Sequence, residues 1–151
     1  MKGFKFRMQT ALNLRERKEE QLRIEAAQIA ERYRHENEVL ETMIAEREAA
    51  LHESSTGRVG RLNPEDVWMR EHHLTVMDER ISQQRYLLTV VAQELQAKKG
   101  ELLVASQETQ ALEKLKEQHL EQFRKDALFE EQKFLDELAS IRSARQQRDS
   151  A

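Results

Sequence analysis

The side chains that most often carry chemistry are present in this chain, but their spacing does not build a site. The five histidines show no His-x-x-x-His or Glu-x-x-His pairing, the spacings that set two metal ligands on one helical face. No serine or threonine stands in a nucleophile motif, and no glycine-rich loop could hold a phosphate. Carboxylates are abundant, but on exposed helices they have no pocket to act in. We therefore expect no enzymatic activity, no metal and no cofactor.

The composition indicates which fold the chain adopts. Of 151 residues, 35% are charged and only 5% are aromatic, with four glycines and one proline. Such a chain has little to bury around a compact core, and its bias is typical of long helices and coiled coils. The absence of cysteine favours a reducing, cytosolic location. No apolar run approaches the roughly 20 residues of a membrane span, and the first residues lack the apolar core of a signal peptide.

Charge is unevenly distributed along the sequence. The formal net charge is -3, yet residues 1–18 hold six basic residues against Glu16 alone, and the last ten residues carry three arginines against Asp149. Basic ends on an acidic chain are suited to meet something negative. Nucleic acid is not the expected partner, because the overall balance is acidic and no basic region runs on into a dimerisation seam.

One break divides the chain into two helical segments. The stretch from His52 to Pro64 contains the only proline and two of the four glycines. Asn63 suits a helix N-cap, Pro64 suits the first helical position, and Glu65 and Asp66 place negative charge at the helix N-terminus. We predict a single all-α domain over residues 1–151, with a first helix over about 4–53, a loop over about 54–63 and a second helix over about 64–148.

Both segments carry a heptad seam, in which mostly apolar residues recur at alternating spacings of three and four. The seam positions of the first segment are Leu22, Ala26, Ile29, Tyr33, Glu36, Leu40 and Met43. Those of the second segment are Leu74, Met77, Ile81, Gln84, Leu88, Val91, Leu95, Lys98, Leu102, Ala105, Thr109 and Leu112. The spacing then becomes four and four through Lys116 to Leu120, a stutter that locally unwinds a supercoil.

The two seams match when the chain is folded at the break. If facing residues have numbers that sum to about 117, apolar residues meet apolar residues along the first segment. This favours an antiparallel coiled-coil hairpin, although a domain-swapped or four-helix dimer would satisfy much of the same pattern. In that register Phe4 lies opposite residue 113, so the longer second helix overhangs from about Lys114. The overhang is too apolar for a lone exposed helix, and we expect something to cover it.

All five phenylalanines lie at the end of the predicted hairpin that is away from the loop. Aromatic and arginine residues are the usual anchors of protein interfaces, which favours a binding role for this end. The alternative interpretation is local packing, in which Phe4 and Phe6 fold onto the overhang.

The N-terminal run Phe4-Lys-Phe-Arg7-Met-Gln-Thr-Ala-Leu12 closely resembles the opening of the FliJ family of flagellar export proteins. In that family a Phe-x-Phe-x-x-Gln-like start leads into a helix rich in leucine, arginine and glutamate. The length, the single mid-chain break and the Lys114 to Gln118 stretch of the long second helix agree with the family, so the likeness covers nearly the whole chain.

The resemblance implies a non-enzymatic, cytoplasmic component of the flagellar type III export apparatus, held at the cytoplasmic face of the inner membrane only through its partners. Family members are similar in fold to the two-helix stalk of the rotary ATPase γ subunit. They bind the hexameric export ATPase FliI and promote its assembly and activity. They also contact the export gate protein FlhA and interact with export chaperones.

Two surfaces are expected from this resemblance and from the terminal aromatic residues. The predicted ATPase-binding surface comprises Phe4, Phe6, Arg7, Leu12, Phe123, Phe129, Phe134 and Leu138. The predicted gate-binding surface comprises Glu36, Leu40, Met43, Arg47, His73, Met77, Arg80 and Gln84. Two other functions stay open: a coiled-coil spacer or scaffold that self-associates through the overhang, and the equivalent stalk of a virulence type III secretion system.

Overall fold

The chain is all-α, as predicted. The structure is a computed structural model that describes residues 3–56 and 63–150. Two helices, α1 (Gln9–Thr56) and α2 (Pro64–Asp149), pack against each other as a helical hairpin in which the second helix is the longer. Most of the predicted loop, residues 57–62, lies outside the described residues.

The start of α2 agrees with the capping signal in the sequence. The Asn63 Oδ1 atom accepts a hydrogen bond from the backbone N–H of Glu65 at 3.3 Å, and the Asn63 carbonyl accepts one from Val67 at 3.2 Å. Asn63 is therefore the N-cap and Pro64 the first helical residue, where its missing N–H costs nothing.

The start of α1 differs from the prediction. The helix begins at Gln9, where the backbone N–H donates to the Phe6 carbonyl at 3.1 Å, and not near residue 4. In a helix Phe4 and Phe6 would lie about 200° apart, whereas in a non-helical segment both can turn to the same side. Both rings do contact α2, so tertiary packing outweighs helix formation here.

The packing divides into two compact units, each containing parts of both helices. Unit 1 consists of Met1–Lys18 and Ala105–Ala151, and unit 2 consists of Glu19–Val104. Every predicted seam residue from Leu22 to Leu112 is buried or half-buried, which confirms the seams. Val91 in unit 2 and Leu12 in unit 1 are the most deeply buried, at 0% and 2% exposure.

The register within unit 2 differs from the predicted one. Four contacts join the helices there, and their residue numbers sum to between 120 and 126, not to 117: Glu25 with Lys98, Arg32 with Glu94, Glu36 with Gln84, and Arg47 with Asp78. The predicted register was therefore wrong by about one heptad. A seven-residue slip sets seam against seam again, so the apolar pattern alone does not distinguish the two registers.

The overhang in unit 1 also begins later than predicted, by more than the register difference alone would give. Phe4 contacts Phe123 and not residue 113, and α2 keeps half-buried residues as far as Ala127. The stutter residues Lys116 and Leu120 are half-buried, so the stutter lies inside the packed region and not at its end. All residues from Leu128 to Ser150 are exposed, so the overhang begins about 14 residues later than predicted.

Candidate functional site

The N-terminal residues of the predicted ATPase-binding surface are largely packed against α2. The Phe6 ring is buried and meets His119 edge-on, with ring centroids 5.7 Å apart. The Phe4 and Phe123 ring centroids are 5.6 Å apart, and Leu12 is in the core. These aromatic contacts are worth about 0.5–1.5 kcal/mol each beyond the area that they bury. Phe4 and Phe6 therefore pack locally against α2, as the alternative interpretation predicted.

The remaining members of that surface are exposed on α2. Phe129, Phe134 and Leu138 have exposures of 68%, 59% and 47%. Three further exposed apolar residues, Leu128, Leu135 and Ile141, accompany them. These were visible in the sequence as part of the apolar overhang, but they were not assigned to the ATPase-binding surface. Arg7 is exposed and has no ion pair within residues 3–56 and 63–150.

Most of these exposed residues share one face of α2. At about 100° per residue, they fall within an arc of about 140° around the helix. We call them the apolar stripe: Leu128, Phe134, Leu135, Leu138 and Ile141. Phe129 lies outside this arc and lines a shallow groove with Lys133, Glu137 and Ile141. An exposed stripe of this size marks a contact surface for another molecule.

The eight residues of the predicted gate-binding surface do not share one environment in unit 2. Gln84 is buried, and its Nε2 donates to the Glu36 carbonyl at 2.8 Å and to the Glu36 carboxylate at 2.6 Å. Leu40, Met43 and Met77 are half-buried seam residues, as their spacing indicated. These five residues hold the helices together.

The other three residues of the predicted gate-binding surface are available to solvent. His73 and Arg80 are exposed, and Arg47 is half-exposed and donates from Nε to the Asp78 carboxylate. His73 and Arg80 are therefore the most accessible of the eight, and Arg47 is accessible in part.

The first turns of α2 hold an exposed aromatic pair that the sequence interpretation missed. The rings of Trp68 and His72 are stacked, with centroids 5.1 Å apart and an angle of 3° between planes. Trp68 is 64% exposed, and its neighbour Met69 is 62% exposed. The signal was present, because this is the only tryptophan and it lies five residues after the helix N-cap, Asn63.

Lys98 is a charged residue on the apolar seam of unit 2. Its Nζ lies 3.0 Å from the Glu25 carboxylate and 3.2 Å from that of Glu101. The hydrogen bond to Glu25, followed by that to Glu101, raises the pKa of Lys98. Hydrogen bonds from Lys98 and then Gln21 lower the pKa of Glu25. Each group thus stabilises the charged form of the other.

The described ranges contain neither a metal-binding cluster nor a membrane-spanning helix. Within residues 3–56 and 63–150, no three His, Asp or Glu side chains come together as a group that could hold a metal. No helix in this part of the chain is long and apolar enough to span a bilayer.

These features define a class of protein: an antiparallel two-helix coiled coil whose second helix continues past the packed region and exposes apolar side chains. The family model described as Flagellar FliJ protein matches residues 4–148, nearly the whole chain, and the chain therefore belongs to the FliJ family. Its role is accordingly in flagellar protein export, in a family of non-catalytic export components. No curated protein and no solved structure matches the chain.

Proposed function

We propose that this chain binds the hexameric export ATPase FliI as a stalk and promotes the assembly and activity of its ring. The observation that carries the proposal is the apolar stripe on the unpaired part of α2. Its width of about 140° exceeds what one facing helix covers in a two-stranded seam. A socket formed by several surrounding surfaces, such as the centre of a ring, would cover it.

In this proposal most of the N-terminal residues do not contact the ATPase themselves, but hold α2 in place beside the binding surface. Phe6 and Leu12 are buried against α2, and Phe4 covers part of Phe123. They fix the helix at the point from which the stripe extends. Among the N-terminal members of the predicted ATPase-binding surface, Arg7 is exposed, and its charged group could contact the ATPase directly.

We further propose that unit 2 contacts the export gate protein FlhA. The contact would use the exposed residues Arg47, His73 and Arg80, extended by Met69, which lies four residues before His73 on the same helical face. Export chaperones are additional partners, and the chain would reach the cytoplasmic face of the inner membrane through these partners.

The ATPase proposal is tested by removing the stripe. The double substitution Phe134→Ala with Leu138→Ala is expected to weaken binding to purified FliI by about 10- to 100-fold, since it removes two large exposed apolar side chains that the complex would bury. The matched control is Leu103→Ala with Val104→Ala, two residues of α2 with similar exposure outside the stripe. The control is expected to bind and stimulate the ATPase normally.

The scaffold alternative rests on the same stripe and predicts a different result. A scaffold would be a stable dimer in sedimentation experiments without FliI, and the double substitution would convert it to a monomer. Unchanged ATPase stimulation by the double variant, with the helices intact by circular dichroism, would refute the proposed stalk function.

A further inference from the structure

The last turns of α2 carry a charge pattern that occurs nowhere else on that helix. Residues 138–148 contain Arg142, Arg145 and Arg148 and no acidic residue. Five of the six arginines of α1 are ion-paired, namely Arg15, Arg23, Arg32, Arg34 and Arg47, whereas no arginine of α2 is ion-paired within the described part of the chain. None of the three C-terminal arginines has an ion pair within the described part of the chain, and all three are exposed.

The three arginines lie in line with the apolar stripe. Their spacing of three residues rotates each by about 60° from the last, so the row covers about 120° of the helix. That arc is centred on the same side of α2 as Phe134, Leu138 and Ile141. A partner surface that binds the apolar stripe would therefore also contact the three guanidinium groups, which lie beyond the stripe toward the C-terminus of α2.

The helix dipole explains only part of this pattern. Cations are favoured at a helix C-terminus, but the effect falls off within the last turn. Arg148 is in the last turn of α2. Arg142 and Arg145 lie further from the end, and although Asp149 follows Arg145 by four residues, it forms no ion pair with any of the three arginines in the described part of the chain.

We propose that Arg142, Arg145 and Arg148 form a carboxylate-binding row, which recognises an acidic protein surface adjoining the apolar socket of the ATPase. The proposal rests on the proposed function and adds the chemistry of the partner. Arginine presents a planar fork of donors that matches a carboxylate in two parallel hydrogen bonds. The stripe supplies apolar contact area, and the row supplies orientation and electrostatic attraction along the helix axis.

The charges around the stripe favour a protein over a lipid surface or a nucleic acid. Residues 121–137 contain six acidic residues against three basic ones. Helices that lie on anionic membranes carry Lys and Arg along their whole polar face. An anionic bilayer or a phosphate backbone would attract the last turns of α2 but repel the segment beside the stripe.

The test compares two triple variants of the full chain in binding to purified FliI. The first is Arg142→Gln, Arg145→Gln and Arg148→Gln, which keeps helix propensity nearly unchanged. The control, Arg85→Gln, Lys99→Gln and Lys114→Gln, removes the same charge from exposed positions of α2 outside the row and the stripe. Affinity is measured from about 50 to about 200 mM sodium chloride.

The arginine variant is expected to bind about 3- to 100-fold more weakly at the low-salt end, from three partly desolvated ion pairs. Its affinity should also depend less on salt than that of the unmodified chain, while the control retains normal affinity. Equal weakening of both triple variants would mean a non-specific charge effect and would overturn the proposal.

Two further outcomes separate this proposal from the proposed function. If the arginine variant binds FliI normally while the stripe variant does not, the row is refuted and the stalk function stands. If the unmodified chain does not bind FliI, both are refuted. Binding to phosphatidylglycerol vesicles or to RNA that the arginine variant loses, with FliI binding unaffected, would overturn the proposal in favour of that ligand.

Discussion

The hydrogen-bonded pair of Gln84 and Glu36 gives the sharpest prediction about the fold. Replacing Gln84 by Leu fills the same space but leaves the half-buried Glu36 carboxylate without the donor that lies 2.6 Å away. A hydrogen bond to a charged group contributes about 1.5–3 kcal/mol, and the added apolar contact offsets part of its loss. We expect the free energy of unfolding to fall by about 1–2 kcal/mol.

The double variant Glu36→Leu with Gln84→Leu should behave differently. An apolar pair of similar volume replaces the polar pair, so stability returns to or exceeds that of the unmodified chain. The difference between the double variant and the sum of the single variants should be about 1–2 kcal/mol. Urea unfolding followed by far-UV circular dichroism measures all of these changes.

The stabilised double variant should also lose its unique register. A polar residue on a coiled-coil seam specifies the register at a cost in stability, and without it a seven-residue slip is no longer penalised. The chain has no cysteine, so introduced pairs can report the register. Cysteines at positions 32 and 94 report the observed register, and cysteines at 25 and 94 report the slipped one.

We expect the unmodified seam to cross-link only at positions 32 and 94, and the double variant to cross-link in both pairs. The reasoning would be refuted if the double variant cross-linked only in the observed register. It would also be refuted if Gln84→Leu left stability unchanged, because the hydrogen bonds would then contribute nothing.

Three further predictions concern single positions. Gly100→Ala should raise the free energy of unfolding by about 1 kcal/mol, because a Cβ there meets nothing within 4 Å and alanine is the better helix former; a loss in urea unfolding would contradict this. Asn63→Ala should lower it by about 1 kcal/mol through loss of the N-cap, whereas Asn63→Asp should not. Lys98→Met should make stability less dependent on pH in the acid range. The lowered pKa of Glu25 contributes stability that is fully present above the ordinary glutamate pKa. That contribution is lost as the pH falls through the pKa of Glu25 in the folded state. The raised pKa of Lys98 adds the complementary effect at high pH, where stability is lost as the lysine deprotonates; equal pH profiles of variant and parent would contradict both.

The seams could be predicted from the sequence almost position by position. Residues such as Leu22, Leu88 and Val91 recur at spacings that only one face of a helix satisfies, and all of them are buried. Asn63 and Pro64 likewise predicted the start of α2, because capping depends on local chemistry.

The register could not be predicted in the same way. Apolar periodicity repeats every seven residues, so it constrains the pairing only to within one heptad. The distinguishing information lies in the polar seam residue Gln84, which bonds to Glu36 in the observed register and would face Tyr33 in the predicted one. Lys98 does not distinguish them, because it has a glutamate opposite in both registers, Glu25 in the observed one and Glu19 in the predicted one.

The sequence predicted only part of the exposed surface, again because the register was not known. Composition marked the aromatic end of the chain, but it could not separate residues that pack from residues that remain available. Phe6 and Phe134 have the same side chain, yet only Phe134 is exposed. The difference arises because α1 ends its contact with α2 before residue 128, which depends on the register.

Site-specific photo-cross-linking tests the central claim, that the exposed stripe of α2 is the surface bound by the ATPase, most directly. A photoreactive phenylalanine analogue is placed at Phe134 and, for comparison, at Trp68, which is equally exposed at the other end of α2. Position 134 is predicted to cross-link to FliI, and position 68 is predicted not to do so. Cross-linking of position 134 only to a second copy of the chain, or of position 68 to FliI, would contradict the account.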